Sequence, residues 1–143
     1  MGRKHRVEVH GCGQSFDAYD VLGVLYLNLT NHPLTMRPDK GEDFTIPSSG
    51  LHAHAQKNTD RVLEQYATGV EYRELRFFPE EDEQVKILQD IKWEHPEIIM
   101  IGSSIAAQAY PRHIVAPIPV EDKLRNDYER KQLVVYANRF VAY

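Results

Sequence analysis

The stretch Val21-Leu22-Gly23-Val24-Leu25-Tyr26-Leu27-Asn28-Leu29 constrains this chain more than any other. It is nearly continuous in apolar side chains and rich in β-formers. Its length and content predict a strand buried on both faces, because a half-buried strand would alternate. The run stops at Thr30-Asn31-His32-Pro33. Pro33 has no N–H for a ladder, and Asn31 suits a turn.

The flanking segments are legible from their own periods. Residues 1–20 are Gly-rich and charged and read as a flexible N-terminal arm, with at most a short strand at Arg6 to His10. Leu34 to Met36 and Glu42 to Ile46 flank the turn Pro38-Asp39-Lys40-Gly41 and predict a hairpin. Leu51-His52-Ala53-His54-Ala55-Gln56 alternates strictly, which predicts a half-buried strand. Asn58 to Ala67 fits a short helix or a strand, and Val70 to Phe78 has strand composition. Glu80 to Glu94 is the best helix: Pro79 precedes it, acids fill its first turn, and Val85, Leu88 and Ile91 share a face. Glu97 to Ile101 reads as a strand, Ile105 to Tyr110 as a short helix and Ile114 to Ala116 as a brief strand. Val120 to Lys131 reads as a charged surface segment, and Gln132 to Tyr143 as one bent or two short closing strands. The layout predicts an α+β fold, a mainly antiparallel sheet with two or three short helices on one side. Residues 21–143 would form the single domain.

Composition narrows the function classes. At 143 residues the chain fits one domain and needs no disulfide or structural metal to fold. A net charge of −4 gives no global field for nucleic acid, and the basic run Gly2 to Arg6 reads as a solvated tail. Cys12 stands alone, so no intrachain disulfide forms. The first residues lack the apolar core of a signal peptide, and no apolar stretch approaches the roughly 20 residues of a membrane span. The expected setting is cytoplasmic, with no membrane partner and no cofactor.

Three constellations can carry chemistry. Asn28, Thr30, Asn31 and His32 end a buried strand and offer amide, hydroxyl and imidazole groups suited to a base or ribose. Turn chemistry uses the same residues. Gly102, Ser103 and Ser104 open a short helix, where backbone N–H groups attract anions. Helix capping by a serine explains the same triplet. His52 and His54, two positions apart on a strand, would point the same way, about 7 Å apart. They can bind a metal if His32, His113 or an acid joins them, or act as an acid/base pair. Arg112, beside Tyr110, adds a guanidinium near an aromatic ring.

LNLTNHP (Leu27 to Pro33), IPSSG (Ile46 to Gly50) and GSSIAAQAYP (Gly102 to Pro111) with Val115-Ala116-Pro117 resemble segments of small phage- and prophage-encoded proteins. Those typically read LNLTPHP, then IPPSG followed by Ala-Arg, then a Ser-containing Ala-rich segment and Val-x-Pro. Here Asn31 replaces the usual Pro, and His54 stands where Arg is common. The resemblance covers roughly residues 21–143 and implies a bacterial host cytosol. By analogy with phage proteins that antagonise host defence, it implies a homo-oligomeric, non-catalytic sponge for a cyclic nucleotide or ADP-ribose-derived signal. Asn28, Thr30, Asn31, His32, His54, Gly102, Ser103, Ser104 and Arg112 would form its ligand site. Two alternatives stand beside it: a protein-interaction module blocking a host factor, and a metal-dependent hydrolase or phosphodiesterase using His52 and His54.

Overall fold

The computed structural model describes residues 2–53, 55–66, 70–79, 82–120 and 134–143. In chain order the elements are β1 (Gly2–Val9), β2 (Gln14–Val21), β3 (Val24–Asn28), β4 (Leu34–Arg37), β5 (Phe44–Ile46), β6 (Ala55–Tyr66), β7 (Val70–Pro79), α1 (Asp82–Glu94), β8 (Ile99–Ile101), α2 (Ser104–Ala109), β9 (Ala116–Pro119) and β10 (Val134–Val141). The fold is α+β with mostly antiparallel strands, as the layout predicts.

The N-terminal stretch is not an arm. β1 and β2 pair antiparallel from Gly2↔Val21 to Val9↔Gln14. Val7, Val9, Phe16 and Ala18 are buried, while Arg3 to Arg6 stay exposed. Ladder bonds use backbone groups, so a strand forms even where its side chains are charged.

The long apolar run is also not one strand. Leu22 and Gly23 have φ of +52° and +88° and form a two-residue turn between β2 and β3. Two successive positive φ values match the right-handed twist of the flanking strands. Gly23 adopts this geometry without steric penalty, and its N–H donates to Asp20 Oδ1 at 2.9 Å. Leu22 is left 88% exposed at the tip.

From Leu25 onward the expected double burial holds. The sheet β1-β2-β3-β8 has β8 parallel to β3. Leu25, Leu27, Ile98 and Met100 pack into one cluster with α1 and α2, through Leu88, Ile91, Ala106 and Tyr110. Tyr26, Ile99 and Ile101 alternate to the other side and join Met36, Ile46 and Val135 of a second sheet. That sheet runs β5-β4-β10-β9, with β10 parallel to β4. The Tyr26 hydroxyl crosses between the sheets to the Ala137 carbonyl at 3.1 Å, and burial pushes its pKa up.

Three remaining segments depart from expectation. The strand expected at Ile114 to Ala116 runs from Ala116 to Pro119 instead, as an edge strand that accommodates both prolines. Leu51 to Ala53 has no regular structure, and β6 begins only at Ala55. Asn58 to Tyr66 belongs to β6, which pairs antiparallel with β7 through two register shifts. The register shifts absorb the irregular polar pattern that left helix and strand equally plausible. Ala67, His54 and residues 121–131 of the charged segment lie outside the described residues.

Candidate functional site

Asn28 is the pivot of the site. It ends β3 and is the single buried polar side chain among the described residues, 1% exposed. A buried amide needs partners, and this one finds them in its own loop. Its Nδ2 donates to the carbonyls of His32, at 2.8 Å, and Ile46, at 3.2 Å. Its Oδ1 accepts the Thr30 N–H at 3.0 Å and lies 2.6 Å from the Thr30 hydroxyl. The turn chemistry weighed for these residues therefore governs Asn28 and Thr30. They shape the loop rather than face a ligand.

The Ile46 to Gly50 segment is stitched to the same loop. Ser49 donates to the Asn28 carbonyl through both its N–H, at 2.9 Å, and its hydroxyl, at 2.7 Å. The Ser48 hydroxyl donates to the Thr30 carbonyl at 2.7 Å. On the other flank, the Leu29 N–H donates to the Ile101 carbonyl at 2.8 Å, which sets the start of the Gly102 segment beside the loop. The segments Leu27 to Pro33, Ile46 to Gly50 and Gly102 to Pro111 thus meet in space, although they are far apart in sequence.

Where they meet lies an open cleft of about 240 Å³, lined by Leu29, Thr30, Asn31, His32, His52, Ala53 and Ser103. Leu29 and Ala53 supply apolar surface. Asn31 and His32 are exposed at the rim. His52 is fixed through its backbone: its carbonyl accepts from Gln84 Nε2 at 2.6 Å, and Gln84 Oε1 in turn accepts the Tyr110 hydroxyl at 3.1 Å. Ser103 is the N-cap of α2, accepting the Ala106 N–H at 3.1 Å. Because that bond uses its oxygen as acceptor, the hydroxyl proton stays available to donate.

Other expected site residues fall elsewhere. Gly102 is buried and its N–H donates to the Val115 carbonyl at 3.0 Å. An added Cβ there would meet Ile114 Cγ2 at 2.8 Å, so this glycine serves close packing rather than anion approach. Ser104 is exposed outside the cleft lining, and its carbonyl accepts from Gln108 Nε2. Arg112 is exposed, lies outside that lining and acts on His113 instead. His113 has its pKa lowered by burial first, then by Lys92 and Arg112. His54 is among the positions not described, and Leu51 to Ala53 lacks the strand that would aim His52 and His54 together. Among the described residues, no group of three or more His, Cys, Asp or Glu converges on a metal position.

One structural anchor had no sequence signal. The Glu94 carboxylate, at the end of α1, accepts the N–H of His10 at 2.7 Å and of Gly11 at 2.9 Å. These bonds hold its pKa below the usual carboxylate value. A carboxylate is disfavoured at a helix C-terminus, and the two N–H groups offset that. Compared with protein-family models, curated proteins and solved structures, the chain matches none.

Proposed function

We propose that this protein sequesters a nucleotide-type small molecule, a cyclic nucleotide or ADP-ribose-derived signal, without cleaving it. The observation that supports this most is the cleft at the junction of the three resembling segments, bordered by His32, His52 and Ser103. Leu29 and Ala53 offer an apolar contact for a base or sugar face. Imidazoles and a hydroxyl provide directional contacts to ribose or phosphate oxygens. The neighbouring Ser48 and Ser49 hydroxyls already donate to backbone carbonyls, an arrangement that holds a shape and activates no nucleophile.

Size argues for a shared site. The cleft, at about 240 Å³, falls below the roughly 300–1,000 Å³ that encloses a drug-sized ligand. It seats one nucleoside-sized portion, and a second subunit closes over the rest. The phage-protein resemblance supports the same reading, with the host bacterial cytosol as its setting.

Isothermal titration with cyclic di-AMP, cyclic di-GMP and cyclic ADP-ribose tests it directly. Saturable heat with at least one of them is expected. His52→Ala and Ser103→Ala should each weaken that binding about tenfold, equivalent to roughly 1.4 kcal/mol. Ligand recovered after heat denaturation should be intact. Altered ligand would indicate a hydrolase, and the absence of heat with all three would refute the binder.

A further inference from the structure

We propose that the outer edge of β1 takes up an extended acidic peptide segment as an additional strand. This surface is separate from the cleft and does not depend on the reading given to it. β1 is terminal in its sheet, so its outward backbone groups have no ladder partner among the described strands. Its pairing with β2 runs all eight residues without a register shift, and it contains no proline. It therefore offers a regular row of N–H and C=O groups.

The other edges of the two four-stranded sheets are blunted. β9 carries Pro117 and Pro119, which cannot donate. β5 is three residues long. β8 is equally short, and Ile101 already bridges to Val115. Short strands, prolines and charged side chains are how natural sheets close their edges, and β1 has only the charges, which turn away a strand of like charge and not one of opposite charge.

Charge selects the occupant. Arg3, Lys4, His5 and Arg6 are exposed, and strand alternation distributes them over both faces. Arg6 meets Asp17 at 3.3 Å in an open pair. Among the described residues, Arg3 and Lys4 have no ion-pair partner. A second copy paired parallel and in register would set like charges opposite each other, which destabilises cross-strand pairs, and one paired antiparallel over the full strand would gain only Arg3 opposite Glu8. A strand bearing Glu or Asp would instead gain attractive pairs on both faces, and long-range attraction would speed its arrival. Nucleic acid would use the charges alone. The unpaired backbone row is what favours a peptide, since strand addition draws affinity from main-chain hydrogen bonds.

The test uses fluorescence anisotropy with the full chain and a labelled peptide of repeating Glu-Glu-Thr-Thr, which places glutamates on both faces of an added strand. Binding is expected to weaken about tenfold in Arg3→Glu/Lys4→Glu, whose sites are exposed, and to be unchanged in His52→Ala. N-methylating one alternating set of peptide amides should abolish binding, and methylating the other set should be tolerated, because only one set faces β1. Equal effects of the two methylated sets would overturn the proposal. So would no binding of the acidic peptide, or tighter binding of an oligouridylate than of the peptide.

Discussion

Two loops at the same end of the central sheet are held by side-chain clamps of opposite character. The loop after β3 is clamped from beneath by Asn28, a buried neutral amide with partners at His32, Ile46 and Thr30. The turn between β1 and β2 is clamped from outside by Glu94, a surface carboxylate with partners at His10 and Gly11. The first clamp cannot readily be replaced by water at the Ile46 carbonyl, where its bond is buried, once its side chain is removed. The second can, because its partners sit at the surface. The buried clamp supports the candidate cleft, whereas the surface clamp fastens a helix end to a hairpin. Burial, more than the number of bonds, decides which clamp costs more to remove.

The strongest way to break this contrast is Asn28→Ala. It leaves the Ile46 carbonyl and the Thr30 N–H without their side-chain partner, while the His32 carbonyl keeps the Thr30 hydroxyl at 2.9 Å, and should cost about 2–4 kcal/mol in urea unfolding at neutral pH. A loss under about 0.5 kcal/mol would mean that water replaces the amide and the loop is not clamped.

Ser103→Ala sharpens the comparison on the cleft side. It removes a helix cap and should cost about 1 kcal/mol of stability. Ligand binding should fall further than stability does, because Ser103 also lines the cleft. Equal binding by the variant and the native protein would reduce Ser103 to a cap.

Glu94→Gln addresses the surface clamp through pH. The folded-state pKa of Glu94 is depressed, so its contribution is present above the unfolded carboxylate pKa. It is lost as pH falls through the folded value. The native protein should therefore be more stable than Glu94→Gln at pH 7, and the gap should close below about pH 4. A gap constant from pH 7 down to that range would show that charge plays no part.

The smallest effect is expected at the opposite end of the sheet, where the β2–β3 turn has one side-chain bond, from the Gly23 N–H to Asp20. Leu22, at φ +52° and exposed, holds a conformation that asparagine accepts more readily. Leu22→Asn should stabilise the protein by a few tenths to about 1 kcal/mol in thermal unfolding. A destabilised variant would indicate that Leu22 makes contacts its exposure does not reveal.

These contrasts also mark how far the sequence was readable. The alternation of Leu25 to Leu29 between two clusters, the acidic start of α1 and the serine cap of α2 were all visible in local pattern. The hairpin turn inside the apolar run was not. Leu22 masked it, because apolar side chains count toward a strand whatever their φ. The N-terminal strand was hidden for the opposite reason, since its exposed cations obscured a backbone ladder. Within the site, His32 and Ser103 were identifiable as polar groups beside turns, whereas His52 was read as a strand residue paired with His54. Ser48 and Ser49 looked like turn residues, and no local signal marked them as partners of Asn28 and Thr30. Gly102 and Arg112 were drawn toward the site by composition, while packing against Ile114 and proximity to His113 set their actual roles.

Periodicity, capping and turn chemistry act over a few residues, so the sequence by itself determined the α+β class, most strand positions and both helices. The tertiary structure alone decided which loops meet. Glu94 reaches Gly11 across 83 positions, and Ser49 reaches Asn28 across 21. No local pattern encodes such pairs. They arise when burying the two apolar clusters brings distant backbone groups together, and each group then requires a partner.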